Sequence, residues 1–585
     1  MKNIKNKILF VFITLLFVVL IPTSASADIL NQKEQFFVDN KFDEMGRDKI
    51  DATLKLVSKH AYFYIEDTYL NSFSYSDKIK ILNSIKNIAD EFDNRIYPIQ
   101  TGFWGSEWKP GIDNDDRITI LFTSMVSDAG GYFNGTNENP KKINPDSNER
   151  EMFFVNAESL NREDNVKNFL AHELQHLISA NVKELIQGVE EEIWLNELRS
   201  EYSVTVMGYN DNYIGSSLSQ RVKQFFSSPS DSLTEWKSLA NDYSVIALFG
   251  EYLSEIYGPG ILLESLKSDL SGIASINQAL LKNGYNKNFE EIFSDWLVAV
   301  AVNDTIADAR FGYYRPALKD FKVEPSASIP LTDNTYFIFQ DQIKDWQGKW
   351  YLIKNLSSGT KDILKAEFSG ENLDDVKIIA VLFDSNGFKG IKKYKLDSKN
   401  PILNIDGLNS LDRVMLVAYK GTKLSGFTSS EPTSLFNLNL SRIENIPEGD
   451  SISSENILSD NSVPAEYSIE NGTLIRAKGD YKVYIYNNGW RRHVVSPKIF
   501  SFYGQFGFAK VKELDSEIVY SIPESKLVKL SGGKKVYQIS DNGDAKHWLD
   551  ISGEQFTLSG RKWDSIFEIN ESEFNFFESG LSIKN

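Results

Sequence analysis

Residues 172–176 read His-Glu-Leu-Gln-His, and no other stretch restricts the fold of this chain as strongly. The 585 residues include 5 histidines, and two of them stand here, four positions apart, with a glutamate directly after the first. On a helix, positions i and i+4 share a face, so both imidazoles point the same way. Two imidazoles so placed can grip a zinc ion, and Glu173 beside them can take a proton from water. The competing reading is a plain helix carrying two core or surface histidines. The first reading makes a demand that the second does not: another element must bring a further donor to the same face.

A catalytic zinc site uses three protein ligands and keeps one position open. A third histidine six residues past His176 would give the metzincin spacing, but that position is Val182. His60, His493 and His547 fall in other expected contexts, which leaves a carboxylate. Glu197, in Trp194-Leu195-Asn196-Glu197, lies 21 positions after His176, enough for one helix to end and the next to return antiparallel. Glu201 follows one turn later and can accept the outer N–H of a bound imidazole, that of His172. Glu190, Glu191 and Glu192 are alternatives, and they also read as the solvated first turn of a helix.

His-Glu-x-x-His followed by Trp-Leu-Asn-Glu resembles the gluzincin class of zinc metallopeptidases. Within it, residues 55 to 310 resemble the hyicolysin family of secreted bacterial neutral metallopeptidases. The resemblance implies an α+β zincin-like catalytic domain, a small sheet plus a helical subdomain, that hydrolyses peptide bonds. It implies His172, His176 and Glu197 as ligands of one catalytic Zn2+ and Glu173 as the general base. Asp242-Tyr243 and the apolar run to Tyr257-Gly258 resemble the element from which aminopeptidase-like members supply a tyrosine to the oxyanion, which makes Tyr243 the candidate donor. The pattern departs at two places. Leu198 stands where relatives often carry glycine after the third ligand, and Ile246 where they often carry glycine three after the tyrosine.

Three lysines (Lys2, Lys5, Lys7), an apolar run from Ile8 to Ile21 and Ala25-Ser26-Ala27 read as a secretory signal cut before Asp28. The exported chain has no cysteine and rests on core packing rather than disulfides. Its formal charge of −18 includes those three lysines, so the mature chain is more acidic still. Such a field disfavours nucleic acid and anionic membranes. The expected location is extracellular, released or held non-covalently at the cell surface.

Asp113-Asn114-Asp115-Asp116 reads as a turn before a strand, with a Ca2+ site as the alternative. Gly131, Tyr132 and Phe133, after paired glycines, are candidate substrate-binding residues on a sheet edge where a peptide strand docks. An ordinary Gly-Gly turn is the competing reading. Beyond Pro316, short β-prone runs separated by Asn, Gly and Asp turns suggest a β-sandwich.

The tail repeats itself. Leu474-Ile475-Arg476, Lys482-Val483-Tyr484, Asn488-Gly489 and His493 recur at Leu527, Lys535, Asn542-Gly543 and His547, offset by 53 to 54 residues. The chain therefore divides into a signal peptide (1–27), an N-terminal segment (28–54), a catalytic domain (55–315), a β-sandwich (316–444), a linker (445–470) and small β-rich tandem repeats (471–525 and 526–585). Proteins or peptides are the expected substrates. The repeats, with Trp490, Trp548 and Trp563, are candidates for contact with a cell-wall or surface polymer. That tail also supports a second reading of the whole chain, a surface or wall-binding protein with a structural or relict zinc site.

Overall fold

The computed structural model describes residues 27–444 except 128, 357–358 and 400, and residues 469–584 except 470, 479, 481, 504–510, 515–517, 520–521, 541–542 and 559–560. The expected signal peptide and linker fall, but for Ala27 and Ile469, outside the described residues. The chain forms two compact units: one ends at Asp93 and resumes over Trp108–Asn161, and the other comprises Asn94–Glu107 and Arg162 onward.

The first unit is built on a six-stranded sheet. Its strands are β1 (Lys33–Phe37), β2 (Lys49–Val57), β3 (Ala61–Glu66), β4 (Ile118–Thr123), β5 (Gly131–Phe133) and β6 (Met152–Asn156), in the order β1-β2-β3-β4-β6-β5. Every residue of β3, β4 and β6 is buried, which is why these runs are almost wholly apolar and aromatic. Residues 28–54, set apart in the sequence reading, supply β1 and most of β2 to this sheet. Helix α1 (Asp67–Asn71) follows β3, and α2 (Tyr75–Glu91) is capped by Ser74, whose side chain accepts the N–H of Asp77. Ile81, Ile85 and Ile88 face inward, whereas Ile79 and Leu82 point to solvent.

The second unit opens with α3 (Tyr97–Trp104) and continues through α4 (Glu163–Ser179), α5 (Ile193–Val206), α6 (Ser217–Ser227), α7 (Ala240–Tyr257), α8 (Gly260–Leu266), α9 (Gly272–Lys282) and α10 (Phe289–Val302). All but two residues of α10 are buried, because the helix is covered on both sides. On one side its Phe293 meets Phe249 of α7; on the other it meets Trp346 and Tyr419 from the β-rich layers that follow.

Those layers comprise β7 (Ala327–Leu331), β8 (Tyr336–Ile343), β9 (Gln347–Asn355), β10 (Ile363–Gly370), β11 (Val376–Asp384), β12 (Gly387–Lys395), β13 (Ile402–Asp406), β14 (Arg413–Lys420) and β15 (Ser434–Ile443). They assemble as β13-β10-β15-β8, β12-β11-β14 and the parallel pair β7-β9. Alternate residues such as Leu364, Ala366 and Phe368, Ile378 and Ala380, and Phe436, Leu438 and Leu440 enter one common core. This is the period-2 pattern of two packed sheets.

The tail shows its duplication in topology. In the first repeat, β16 (Leu474–Ala477), β17 (Tyr484–Asn487) and β18 (Trp490–His493) form a meander, and β19 (Lys512–Leu514) adds parallel to β16. In the second, β20 (Leu527–Leu530), β21 (Val536–Ile539) and β22 (Ala545–Trp548) do the same, and β23 (Phe567–Ile569) adds parallel to β20. Asn488 and Gly489 both take positive φ, as a tight hairpin requires.

The repeats share one core, which holds Leu474 and Ile485 from the first with Val528 and Phe567 from the second. A buried ion pair crosses between them: Arg492 Nη1 donates to Glu573 Oε1 at 2.7 Å, and Tyr503 Oη donates to Glu573 Oε2 at 2.5 Å. Trp490 packs against the shared core, Lys535 covers the Trp548 ring, and Trp563 is 55% exposed.

Removing one partner of such a pair leaves a buried charge, so Glu573→Ala should cost about 3–5 kcal/mol of tail stability. Urea unfolding followed by tryptophan fluorescence checks this, with Glu573→Gln losing less. A second expectation concerns His493. Burial, then Lys482, Arg492, Arg491 and Lys526, hold its imidazole down at about 4 against an ordinary value of 6.5. Its contribution to stability is therefore present above pH 6.5 and lost as the pH falls towards 4. Thermal melts across that range should show the loss, and His493→Gln should flatten it.

Candidate active site

The motif helix α4 is buried over most of its last ten residues, and α5 returns alongside it. The three side chains named from the sequence converge. His172 Nε2 and His176 Nε2 lie 3.1 Å apart. Glu197 Oε2 lies 3.3 Å from the first and 3.7 Å from the second. Among the described residues, this trio is the one group of three His, Cys, Asp or Glu side chains arranged to hold a metal ion. Glu197 Oε2 is buried and makes no hydrogen bond. Burying a carboxylate oxygen with no donor is unfavourable unless a cation completes it, and two facing imidazole nitrogens present lone pairs to the same point. This N,N,O donor set fits Zn2+.

The electrostatics agree with a cation-binding centre. Burial works against charge on His172, yet Glu197 and Glu201 hold its pKa up at about 10, so this imidazole carries a proton that a bound metal ion would displace before its lone pair is offered. Burial also works against the Glu197 carboxylate, and the two imidazoles nevertheless keep it well below the ordinary range. Glu173, beside them and 5% exposed, has its carboxyl pushed up, chiefly by burial.

Both imidazoles are held from behind. Glu201 Oε1 lies 3.5 Å from His172 Nδ1. Glu201 is itself clasped by Arg221 on α6, whose Nη2 and Nε donate at 2.7 and 2.8 Å. Ser200 Oγ sits 3.2 Å from His176 Nδ1 and donates to Gln175 Oε1 at 2.6 Å. Arg221 also lies 4.7 Å from the ring of Tyr243, which stands in the first turn of α7 and packs edge-on against Trp236. Burial first, then Glu197 and Glu201, drive the Tyr243 pKa up, so this phenol keeps its proton.

Sequence reasoning missed Arg221 and Ser200. The signal for α6 was present in Ser216 as a cap and in Leu218, Val222 and Phe225 at helical spacing. It also misread the acidic run. Glu191 is buried, not solvated: its Oε2 receives Arg199 Nη2 at 2.8 Å and its Oε1 the N–H of Gly272 at 2.7 Å. Glu192 accepts the Trp194 indole N–H. Both are thereby engaged away from the trio.

The two departures from the family pattern are core residues. Leu198 is fully buried against α7, where a Cβ on Gly250 would meet Leu198 Cδ2 at 3.1 Å. Ile246 is likewise fully buried. The missing glycine at 198 is thus matched by a glycine on the facing helix.

Gly131, Tyr132 and Phe133 form β5, the edge strand of the first unit. The Tyr132 ring is not offered to a ligand: it stacks between Phe42 and Phe154, and its hydroxyl accepts the Asp39 N–H. What this edge presents is the backbone of Gly131 and Phe133. At 113–116, Asp113 accepts the N–H of Asp115 in a turn before β4.

No protein-family model matches the chain. A curated relative does. It is the neutral metalloprotease ShpI of Staphylococcus hyicus, 27% identical over 310 residues, an alignment that covers 48% of this chain and 65% of the relative. The chain spans a little less than two thirds of that relative's length. Among solved structures, the g-type lysozyme inhibitor PliG of Aeromonas hydrophila matches 20% of the chain at 7% identity and a TM-score of 0.15. The Yersinia pseudotuberculosis-derived mitogen matches 20% at 17% identity, also at 0.15. At these scores the likeness carries no argument.

The groups behind the imidazoles are expected to set metal affinity. Replacing the outer partner of a metal-bound imidazole typically lowers affinity about 10–100-fold. Glu201→Gln and Ser200→Ala should each do so in a competition titration with a chromogenic chelator. A surface variant such as Lys167→Ala should leave the affinity unchanged.

Proposed function

We propose that this chain is a secreted zinc-dependent metalloendopeptidase of gluzincin type, resembling the hyicolysin family, that hydrolyses peptide bonds in protein or peptide substrates. The observation that carries the proposal is the convergence of His172, His176 and Glu197 with Glu173 adjacent. Three protein donors is the number catalytic zinc sites use, whereas structural sites are closed by four. A zinc ion held there supplies Lewis acidity, polarising a carbonyl and bringing the pKa of water down to about 7.

The remaining work falls to side chains of this chain. Glu173 takes the proton from the attacking water and later passes it to the leaving amine, and its raised pKa suits both halves of that transfer. The Tyr243 phenol, which stays protonated, donates to the oxyanion of the tetrahedral intermediate. Arg221 steadies both ends of this arrangement, gripping Glu201 behind His172 and lying against the Tyr243 ring. His172 and His176 hold their orientation through Glu201 and Ser200, so no step asks either imidazole to move a proton.

Casein digestion by the mature protein should stop on addition of a strong chelator and return with zinc. Glu173→Gln should keep one zinc per chain and lose about 10²–10⁴-fold in kcat. Tyr243→Phe should lose about 10²–10³-fold in kcat with KM little changed. Full turnover by the Glu173 variant would refute the assignment.

A further inference from the structure

Asp28 is pinned more firmly than a residue near a chain end needs to be. Its carboxylate receives Arg150 Nη1 at 2.5 Å and Nη2 at 3.2 Å, and Tyr64 Oη donates to it at 2.8 Å. The side chain is 7% exposed, while Ala27 immediately before it is exposed. The backbone nitrogen of Asp28 lies 3.3 Å from Tyr62 Oη, which donates its own proton to Asp115 Oδ2 at 2.6 Å.

Beside this nitrogen is a cavity of about 330 Å³, lined by Asp28, Tyr62, Asp113, Asp115, Glu149 and Arg150 among others. Four carboxyl groups line it: Asp28 occupies the fork of Arg150, Arg117 reaches Asp115 and Tyr62 Oη, and Lys141 pairs with Glu149, so Asp113 is the one of the four with no ion-pair partner among the described residues. Burial pushes the Asp113 carboxyl up, and the nearby Asp115 and Asp28 add to this. In the uncut chain the Asp28 nitrogen brings one neutral N–H to this surplus of negative charge.

We propose that the cavity is a binding site for a primary ammonium, and that its occupant is the α-amino group of Asp28, freed by cutting the Ala27–Asp28 bond. The small-x-small triplet Ala25-Ser26-Ala27 places a leader-peptidase cut at this bond. Hydrolysis adds one water across the amide. The hydroxyl goes to the Ala27 carbonyl carbon, which leaves with the leader as a carboxylate. The Asp28 nitrogen retains its electron pair and takes up protons to become an ammonium. One neutral donor becomes three donors and a full positive charge, at the position where Tyr62 Oη already accepts.

The consequence is a maturation lock. Tyr62 and Tyr64 belong to β3, Arg150 directly precedes β6, and Asp113 and Asp115 lie in the turn leading to β4. The Asp28 carboxylate already holds Tyr64 and Arg150 in the uncut chain, so what an ammonium adds is a tie to β3 through Tyr62 and to the turn before β4 through Asp113 and Asp115. The uncut form carries the same sheet without that added tie. The proposal depends on export processing and not on the zinc chemistry, so it stands or falls apart from the peptidase reading.

The test compares the full mature chain beginning at Asp28 with the same chain retaining Ala27, alongside the exported protein. Mass spectrometry of the exported protein should find Asp28 first. The chain beginning at Asp28 should melt about 2–4 °C above the Ala27-bearing chain. Its α-amine should react at least about tenfold more slowly with an acylating reagent than an unperturbed α-amine at neutral pH. Asp113→Asn with Asp115→Asn should erase the melting difference, and Tyr62→Phe should reduce it. An exported chain beginning at another residue overturns the proposal, as does equal melting of the two forms with a freely reactive amine. Equal stabilisation of both forms by calcium with the amine still reactive also overturns it, by making the cavity a divalent-cation site.

Discussion

Two antiparallel helices bury three metal-type donors against one another, and the surrounding structure exists to make that burial tolerable. Facing imidazoles 3.1 Å apart beside a carboxylate oxygen with no hydrogen bond is not a stable arrangement by itself. It persists because each imidazole is held on its far side, His172 through Glu201 and Arg221, His176 through Ser200 and Gln175. It persists also because the helices are locked in place. Arg199 and Glu191 form a fully buried pair one turn from the site, and Lys183, past the end of α4, donates to the carbonyls of Ser265 and Ser268. On the proposed function, a cation at the trio would complete this charge balance.

The β-rich layers take part in this. The loop before α7 is stitched to them: Ser232 Oγ donates to Asp345 O, the Leu233 N–H to Trp346 O, and Gln347 Nε2 to Ser230 O. That loop fixes where α7 begins, and with it the position of Tyr243 beside Arg221. Trp350 Nε1 donates to Leu297 O and Lys393 Nζ reaches Asp295, so α10 is held from the same side. The layers therefore brace the helical part of the site. The paired tail repeats, sharing one core and one buried ion pair, form a single module rather than two independent ones.

Much of this was legible in the chain. His172, His176 and Glu197 were readable because donor chemistry, helical spacing and the scarcity of histidine leave few alternatives. Glu201 followed from its position one turn later. The β-rich layers announced themselves through period-2 runs, and the duplicated tail through its own offset. What was not legible depends on partners distant in sequence. Glu191 resembles a solvated acid until Arg199 and Gly272 come to it, and Arg221 is an ordinary helical cation until α6 lies beside α5. Tyr132 reads as a binding residue until Phe42 and Phe154 close over its ring. The leucine that replaces an expected glycine at 198 makes sense only beside Gly250 on the facing helix.

The central claim is that the trio holds zinc through two imidazoles and one carboxylate. X-ray absorption at the zinc edge of the loaded mature protein tests it most directly. The account predicts one zinc per chain with two imidazole nitrogens at about 2.0–2.1 Å and oxygen in the remaining places, with the imidazole signature lost in His172→Ala and in His176→Ala. Failure to take up zinc, or a metal bound through oxygen alone and unaffected by those substitutions, would contradict it.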